Sequence, residues 1–311
     1  MRVLHHRMRA LPLERLFEQF PDVTFVEIPH DAPLTDDIRG EVCFTTARGG
    51  PHLAEVLAPE RGVRWVHTFG TGVDGFPLEL IGDQVLTCSR GASAIPIAEW
   101  CLAMMLAFEK RVPDIWLTAP PERWFAAPLD GLYGKTVGIV GLGTIGQAVA
   151  TRALAFGMEV VALRRTAAPS PVDGVKIVTG LHELLADSDH LVVAAPSTPD
   201  TAHLLDAAAF AAVKPGAHLV NIARGELVDQ DALRAALDEG RVACASLDTV
   251  TPEPLPEGHW MYGHPGVRLS AHVSWNMPEA SAWQLETFTR NLRRWIAGEA
   301  LEAVVDLTAG Y

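Results

Sequence analysis

The stretch VGIVGLGTIG, residues 137–146, decides the fold of this chain. Its apolar run VGIV predicts a buried strand, and Gly141, Gly143 and Gly146 follow with the spacing G-x-G-x-x-G. After a strand and before a helix, the first glycine permits a tight turn and the second lets a pyrophosphate approach the backbone. The third glycine lets strand and helix pack closely, and the helix start offers free N–H groups to phosphates. The stretch therefore predicts a doubly wound α/β domain that binds a dinucleotide.

Strand and helix patterns alternate on both sides of this stretch, which is typical of parallel α/β architecture. Further strands are predicted downstream at EVVAL (159–163), HLVVAA (190–195), HLVNIA (218–223), ACASL (243–247) and VRLS (267–270). Weaker strand patterns upstream (RVLHH, VTFVEI, EVCFTT, VRWVHT and QVLTC) predict a second, smaller α/β domain. A long helical pattern from Pro278 to Gly298 is expected to return the chain to that domain and to leave a cleft between the two.

The predicted fold class is thus α/β with two doubly wound parallel-sheet domains. A Rossmann cofactor domain, residues 99–280, is inserted in a smaller flavodoxin-like substrate domain, residues 1–98 completed by 281–311. We expect ligands at the carboxyl ends of the strands, as in other doubly wound sheets.

Composition excludes several classes of function. The chain has 311 residues, 49% of them hydrophobic, and a formal net charge of −13, which argues against a nucleic-acid partner because phosphate binding requires a basic face. Its four cysteines show no CxxC spacing, so neither a metal site nor a disulfide framework is indicated. No signal peptide or membrane span is predicted, and the cytoplasm is the expected compartment.

The stretch VALRRT, residues 161–166, bears on the choice of cofactor. An NAD site usually offers a carboxylate to the ribose hydroxyls about 20 residues after the glycine turn. Here Arg164 and Arg165 stand in that place, and Thr166 adds a hydroxyl. Guanidinium groups suit a 2′-phosphate, so the sequence predicts NADP(H) in preference to NAD(H). The alternative is a solvated strand end.

Three strand ends of the predicted cofactor domain bear side chains suited to keto-acid chemistry. VNIARGELVDQDAL places Arg224 after one strand, ASLDTVTPEPLP offers Asp248 and Glu253 after the next, and LSAHVSW ends on His272. Reduction of a 2-keto acid needs a cation for the substrate oxygens and a proton donor for the developing alkoxide. A neighbouring carboxylate fixes the tautomer of a histidine and raises its affinity for a proton.

The chain resembles the D-isomer-specific 2-hydroxyacid dehydrogenase family over nearly its whole length. The resemblance rests on GTGVD (70–74), AIPIAEWCLAMMLA (94–107), GKTVGIVGLGTIGQAVA, PSTPDTAHLLD, VKPGAHLVNIARGELVDQDAL, LDTVTPEPLP and the closing VVDLTAGY. Signatures of this length seldom arise by chance.

This resemblance implies roles for individual residues. Arg224 would hold the carboxylate and carbonyl of the keto acid, His272 would be the general acid/base, and Glu253 would orient His272 and favour its protonated form. The backbone of Thr71, Gly72 and Val73 would grip the substrate carboxylate. The implied cofactor-binding set is Gly141, Gly143, Thr144, Ile145, Gly146, Arg164, Arg165, Thr166, Pro196, Ala223 and Asp248, the last at the nicotinamide end.

The sequence departs from the family pattern beside the expected pocket. Ala271 precedes His272 where proline is usual, Thr249 and Val250 follow Asp248, and Ala195 stands where leucine is common. These departures leave the substrate open. Trp124 is interpreted as a core or interface tryptophan.

The function implied is reduction of a small 2-keto acid to the D-2-hydroxy acid by hydride transfer from NADPH, with glyoxylate and hydroxypyruvate as first candidates. A homodimer formed through the cofactor domain is implied as well. Two alternatives stay open. Formate dehydrogenases of this family carry an amide partner for the histidine, where this chain has Glu253. A nucleotide-sensing corepressor-like protein on the same fold would use the dinucleotide to control partner binding, and the lack of long disordered tails disfavours it.

Overall fold

The computed structural model describes residues 1–8, 13–165 and 168–311. These residues form two compact units, Met1–Ser93 with Met277–Tyr311, and Ala94–Asn276. The boundaries expected from the sequence, after residues 98 and 280, fall inside two helices, Ala94–Glu109 and Ala280–Ala297. Since a helix packs as one body, the units divide at or shortly before the start of each helix.

Helices and strands alternate through the described residues. The strands are β1 (Arg2–His5), β2 (Thr24–Glu27), β3 (Val42–Thr46), β4 (Trp65–Phe69), β5 (Val85–Cys88), β6 (Thr136–Val140), β7 (Glu159–Leu163), β8 (Val175–Val178), β9 (His190–Val193), β10 (Ala217–Asn221), β11 (Val242–Leu247) and β12 (Val267–Leu269). The α-helices are α1 (Leu13–Gln19), α2 (Leu53–Val56), α3 (Ala94–Glu109), α4 (Thr144–Ala155), α5 (Leu181–Asp187), α6 (Ala207–Ala212), α7 (Gln230–Asp238) and α8 (Ala280–Ala297).

The first unit is built on a parallel sheet with the strand order β2-β1-β3-β4-β5. This is the order of flavodoxin-like folds, as the sequence predicted. The last helix, α8, packs on this sheet: the ring of Phe288 stacks on Phe44 of β3 with centroids 4.2 Å apart. The same ring lies 5.4 Å from that of Trp65 on β4. Because these aromatic side chains are all buried, α8 belongs to the core of the first unit.

The second unit is built on a parallel sheet with the order β12-β11-β10-β9-β6-β7-β8. The chain starts in the middle at β6, runs outward to β8, and returns to β9 on the other side of β6. In a doubly wound sheet, ligands bind outside the carboxyl ends of the strands at this reversal. The Rossmann fold predicted from the glycine stretch is therefore confirmed, and its binding edge contains the ends of β6, β7, β9, β10, β11 and β12.

Strand β8 was not predicted from the sequence. Its four residues, VKIV, include Lys176, and only Val178 is fully buried. Among the described strands β8 pairs only with β7, at the edge of the sheet. An edge strand needs little apolar surface. The sequence of β8 is therefore too short and too polar to be distinguished from a loop.

All four cysteines are buried free thiols. Within the ranges that the structure describes, no helix has the length and apolar character needed to cross a bilayer. In the same ranges, no group of three or more His, Cys, Asp or Glu side chains has an arrangement that could hold a metal ion.

Candidate active site

The glycine turn lies between β6 and α4, next to the point in the second sheet where the strand order reverses, between β6 and β9. Gly141 has a φ of 100°, and a Cβ there would lie 2.8 Å from the backbone of Ala195. At Gly146 a Cβ would lie 2.2 Å from the carbonyl oxygen of Gly141, so strand and helix meet without room for a side chain. Gly143 differs, because a Cβ there would meet no atom within 4 Å. The turn is therefore closed behind Gly141 and Gly146 and open at Gly143, where a pyrophosphate would approach.

The helix that follows the turn presents its N-terminus at this opening. Gly143 is the N-cap of α4 and supplies no side-chain oxygen, and Thr144 after it is exposed. Unsatisfied N–H groups and the positive end of a helix dipole suit a phosphate. The residues present thus fit a dinucleotide, and they do so by backbone alone.

Strand β7 ends beside the glycine turn. The guanidinium of Arg164 donates from Nη1 to the carbonyl oxygens of Pro169 at 2.9 Å and Ala168 at 3.3 Å. Arg165 is exposed. Thr166 lies outside the described residues. Nη1 of Arg164 therefore already donates to the backbone of the loop that follows β7.

Two further residues of the implied cofactor set follow neighbouring strands. Pro196, after β9, is exposed, and its carbonyl oxygen accepts a 2.8 Å hydrogen bond from the hydroxyl of Thr201. Ala223, after β10, is buried, and its N–H donates to Oδ1 of Asn221 at 3.1 Å. Both belong to the binding edge of the second sheet, and their contact with a cofactor stays a prediction.

Arg224 stands in a turn that the end of β10 holds in place. Its carbonyl oxygen accepts a 3.0 Å hydrogen bond from Nδ2 of Asn221, and its own Nη1 donates to the carbonyl oxygen of Ala223 at 2.6 Å. The next residue, Gly225, is pressed against the following loop: a Cβ there would lie 2.1 Å from the carbonyl carbon of Val250. The turn therefore needs both the asparagine before it and the glycine after it.

Asp248 directly follows β11 and is buried, with 1% of its surface exposed. Its Oδ1 accepts from the hydroxyl of Ser270 and from the N–H of Val273, and its Oδ2 accepts from the N–H of Ser274 at 2.9 Å. Its carbonyl oxygen also accepts from the N–H of His272 at 2.9 Å. The described hydrogen bonds of Asp248 thus hold the turn that contains His272. The place at the nicotinamide end that the resemblance implies for Asp248 stays a prediction.

His272, in the loop after β12, pairs with Glu253, in the loop after β11. Nδ1 of His272 lies 2.8 Å from Oε2 of Glu253, and Oε1 of the same carboxylate accepts from the N–H of Val250 at 3.2 Å. Each side chain of the pair is 37% exposed. His272 also has a φ of 53°, in the left-handed region that non-glycine residues adopt uncommonly. Because Nδ1 is engaged by Glu253, Nε2 is the ring nitrogen that remains to face a substrate.

The segment Thr71–Val73 belongs to the first unit and follows β4. Gly70 before it has a φ of 143°, and Val73 is buried. The carbonyl oxygen of Thr71 accepts from the thiol of Cys88 at 3.7 Å, and that of Val73 accepts from the N–H of Phe76 at 3.0 Å. The structure shows an ordered turn here, and its role in gripping a carboxylate stays a prediction.

Sequence reasoning missed Asn221 and left Trp124 open between a core and an interface position. The signal for Asn221 was a polar residue in the last position of a buried strand. An asparagine there can hydrogen-bond to the backbone of the turn that follows. Trp124 is 70% exposed, so it is not a core residue of this chain. Its neighbours Pro120–Ala127 include no strand or helix, and an apolar side chain in such a segment has no sheet against which to pack.

These elements lie at one edge of the second sheet. Arg224, Glu253 and His272 follow three strands that are adjacent in the sheet, β10, β11 and β12, while the glycine turn follows β6 at the switch point. A cation, a paired imidazole and a backbone anion site at one edge provide what a dinucleotide-dependent reduction of a carbonyl acid requires.

Comparison with known proteins gives a consistent result. Residues 102–274 match the model of the D-isomer specific 2-hydroxyacid dehydrogenase, NAD binding domain. The glyoxylate reductase of Thermococcus gammatolerans is 40% identical over 96% of this chain and 87% of its own. Glyoxylate/hydroxypyruvate reductase A of Serratia proteamaculans is 32% identical over 84% of this chain and 85% of its own. D-3-phosphoglycerate dehydrogenases also match, for example 35% identical in Mycobacterium bovis, but the chain spans about half, 49%, of that protein.

Among solved structures, a D-isomer specific 2-hydroxyacid dehydrogenase from Xanthobacter autotrophicus Py2, in complex with NADPH and MES, superposes with a TM-score of 0.84. It is 26% identical, and the match covers 99% of both chains.

Proposed function

The chain belongs to the D-isomer specific 2-hydroxyacid dehydrogenase family, and we propose that it reduces a small 2-keto acid to the D-2-hydroxy acid with NADPH. Membership of this family establishes that the protein is an oxidoreductase and that its second unit is a domain that binds a nicotinamide dinucleotide. The observation that supports the reaction best is the 2.8 Å contact between Nδ1 of His272 and Oε2 of Glu253 at the binding edge of the Rossmann sheet. The same pair does not by itself exclude a corepressor-like binding protein, and turnover of a keto acid is the measurement that separates the two functions.

The proposed chemistry divides between the cofactor and the protein. When bound at the glycine turn, the nicotinamide cofactor supplies the hydride. His272, protonated on both nitrogens, donates the Nε2 proton to the substrate oxygen as negative charge develops there. Glu253 holds the other side of the ring through Nδ1, fixes its orientation and stabilises its positive charge.

Arg224 has the binding role in this proposal. Its planar guanidinium offers paired N–H donors that match the carboxylate and the carbonyl of a 2-keto acid. The backbone N–H groups of Thr71, Gly72 and Val73 are assigned to the substrate carboxylate by resemblance. Asp248 keeps the His272 turn in place, and its contact with the nicotinamide is part of the proposal.

NADP(H) is proposed in preference to NAD(H) because of the side chains that follow β7. Arg164 and Arg165 stand where an NAD site usually has a carboxylate for the ribose. The Xanthobacter autotrophicus structure, which is similar over nearly the whole chain, contains NADPH. In the proposal, a 2′-phosphate competes with the carbonyl oxygens of Ala168 and Pro169 for the guanidinium of Arg164.

Glyoxylate and hydroxypyruvate are proposed as first substrates. Two relatives whose own length is mostly covered by this chain are named glyoxylate reductase and glyoxylate/hydroxypyruvate reductase A. Both acids are small, and both carry the carboxylate and adjacent carbonyl that one guanidinium can hold.

A homodimer in the cytoplasm completes the proposal. Apolar side chains of the second unit are exposed between α3 and β6: Trp116 at 70%, Leu117 at 58%, Trp124 at 70% and Phe125 at 106%. All four lie within residues 116–125, and a contiguous exposed apolar patch often marks a protein–protein interface. We assign the surface to a second copy of the chain.

Initial rates with NADPH and NADH test the proposal directly. A panel of glyoxylate, hydroxypyruvate, pyruvate, phenylpyruvate and 2-ketoisocaproate covers short and bulky side chains. We expect turnover with at least one of the two first candidates, and a higher kcat/KM with NADPH. Absence of turnover across the panel would contradict the proposed reaction, and a higher kcat/KM with NADH would contradict the cofactor preference.

A further inference from the structure

We propose that Asn221 is a positioning residue for Arg224, and that its side-chain amide sets how strongly the protein holds a keto acid. This inference rests on the proposed function, since it concerns the residue assigned to bind the substrate. Its structural part, that the amide fixes the turn, stands without any substrate.

Asn221 is anchored by the sheet on both sides. It is the last residue of β10, pairs with Val193 of β9 and Leu247 of β11, and is 1% exposed. Its carbonyl oxygen accepts from the N–H of Asp248 at 3.0 Å. A residue held by two neighbouring strands has a fixed Cα–Cβ direction, so its side chain is a rigid support for whatever it bonds.

Both polar atoms of the Asn221 side chain act on the turn that follows. Oδ1 accepts from the N–H of Ala223 at 3.1 Å, which is the Asx-turn pattern, and Nδ2 donates to the carbonyl oxygen of Arg224 at 3.0 Å. A buried amide with both ends satisfied is costly to replace, because its partners lose their hydrogen bonds. The side chain thereby fixes the backbone on either side of the Arg224 Cα.

The same turn is also held by close packing against the loop that follows β11. A Cβ on Gly225 would lie 2.1 Å from the carbonyl carbon of Val250 and 2.4 Å from the N of Thr251. The N–H of Val250 in turn donates to Glu253 at 3.2 Å. The turn with Arg224 and the loop with Glu253 are therefore in direct contact, and a shift of the first would be resisted by the second.

Asn221 cannot itself reach a substrate in this arrangement, because it is buried and both polar atoms of its side chain are used. Its effect on catalysis must pass through Arg224. Loss of the amide should let the guanidinium sample other positions, which weakens its hold on the substrate without altering the glycine turn. A misplacement of about 1 Å in a substrate-holding group is enough to cost about 100-fold in rate.

Kinetics of two Asn221 variants give the first test. Asn221→Ala removes both hydrogen bonds and should lower kcat/KM for the best keto acid at least tenfold, mainly through KM, with the KM for NADPH changed less than twofold. Asn221→Ser, whose hydroxyl can serve the Ala223 N–H but is too short to serve the Arg224 carbonyl as well, should lose less. Val192→Ala, a cavity in the buried strand β9, is the control for lost stability and should change kcat/KM less than twofold.

A double-mutant comparison shows whether the effect passes through Arg224. In an Arg224→Ala background there is no guanidinium to position, so adding Asn221→Ala should lower kcat/KM less than twofold further. A further tenfold loss in that background, or unchanged keto-acid kinetics in the single variant, would overturn the proposal.

Hydrogen–deuterium exchange of the ligand-free protein separates this proposal from the proposed function. In Asn221→Ala the amides of residues 223–228 should exchange at least tenfold faster, while those of residues 141–150 keep the parent rates. Faster exchange together with a parent enzyme that reduces no keto acid would leave the positioning role intact and refute only the reaction. Unchanged exchange at residues 223–228 would refute the positioning role itself.

Discussion

Nδ1 of His272 lies 2.8 Å from Oε2 of Glu253, and the other carboxylate oxygen is held by the N–H of Val250 at 3.2 Å. The carboxylate thus joins two loops that follow adjacent strands, and it leaves Nε2 of the imidazole for the substrate. A pair of this kind orients a proton donor and stabilises its charge in the same contact.

Glu253→Gln should lower turnover without abolishing it. The amide can still hold Nδ1 in place, but it withdraws the negative charge that stabilises a protonated ring. We expect kcat for keto-acid reduction to fall about 10- to 100-fold, with the affinity for NADPH preserved. Glu257→Gln, which changes an exposed carboxylate in the same loop, is the matched control. Equal kcat values for parent and Glu253→Gln would show that the pair has no catalytic role.

Replacement of both Arg164 and Arg165 by alanine tests the cofactor preference. Only NADPH has a 2′-phosphate, so only its KM should rise, by about tenfold or more, while the KM for NADH changes little. Arg152→Ala on helix α4, which also removes a guanidinium from this unit, is the control. Equal increases for the two cofactors would mean that the arginines support the loop rather than a phosphate.

The glycine turn offers a comparison between two positions. Gly143→Ala puts a methyl group into open space, so the free energy of unfolding should stay near that of the parent, whereas the KM for both cofactors should rise. Gly141→Ala requires a φ of 100° and a Cβ 2.8 Å from the Ala195 backbone, so it should destabilise the protein by about 1–3 kcal/mol. Urea unfolding and initial rates measure the two effects. The assignment of the opening at Gly143 fails if its variant binds cofactor as the parent does.

Acid should destabilise the first unit through His67. Burial against Phe44, Trp65 and Phe288 lowers the pKa of His67 to about 3, from 6.5. Because the folded pKa is depressed, the unfolded chain binds the proton first, and stability is lost as pH falls below 6.5. This loss continues to about pH 3, at about 1.4 kcal/mol per pH unit for the one group.

Urea unfolding between pH 6 and pH 4.5 measures this contribution. His67→Gln keeps a polar side chain beside the hydroxyls of Thr87 and Ser89, which lie 2.8 and 3.2 Å from the ring nitrogens, but it cannot take up a proton. The free energy of unfolding of His67→Gln should change by about 1.4 kcal/mol less per pH unit than that of the parent. His182→Gln, which changes an exposed histidine, should keep the parent slope. If the free energy of unfolding of His67→Gln fell with pH as steeply as that of the parent, the buried His67 would not be the cause of the acid sensitivity.

Much of the fold was predictable because its strands are buried on both faces. VGIV and VVAL are continuous apolar runs, HLVNIA is mostly apolar, and the glycine stretch identified the turn between strand and helix. Strand β8 was missed because an edge position needs no such run. The position of Arg224, Glu253 and His272 after neighbouring strands was predictable because the ends of parallel strands meet at one edge, whereas their roles come from the family resemblance and stay predictions.

Other features depend on contacts that no local pattern encodes. The hydrogen bonds of Asp248 to Ser270, Val273 and Ser274 join segments more than 20 residues apart, so no local pattern could assign Asp248 to the His272 turn. Asn221 was overlooked for a related reason: its ability to hold the Arg224 turn depends on the two neighbouring strands that fix its own position. Trp124 was expected in a core or an interface, and only its exposure excludes the core.

The most direct test of the account is turnover by His272→Asn, measured with NADPH and the best keto acid of the parent. Asparagine keeps a polar side chain beside Glu253 but cannot deliver a proton to the substrate oxygen. We predict a loss of about 10²- to 10⁴-fold in kcat, with a Kd for NADPH within about threefold of the parent value. His259→Asn, which changes a histidine in the loop before β12, is the control and should retain parent turnover. An undiminished kcat in His272→Asn would contradict the proposed mechanism.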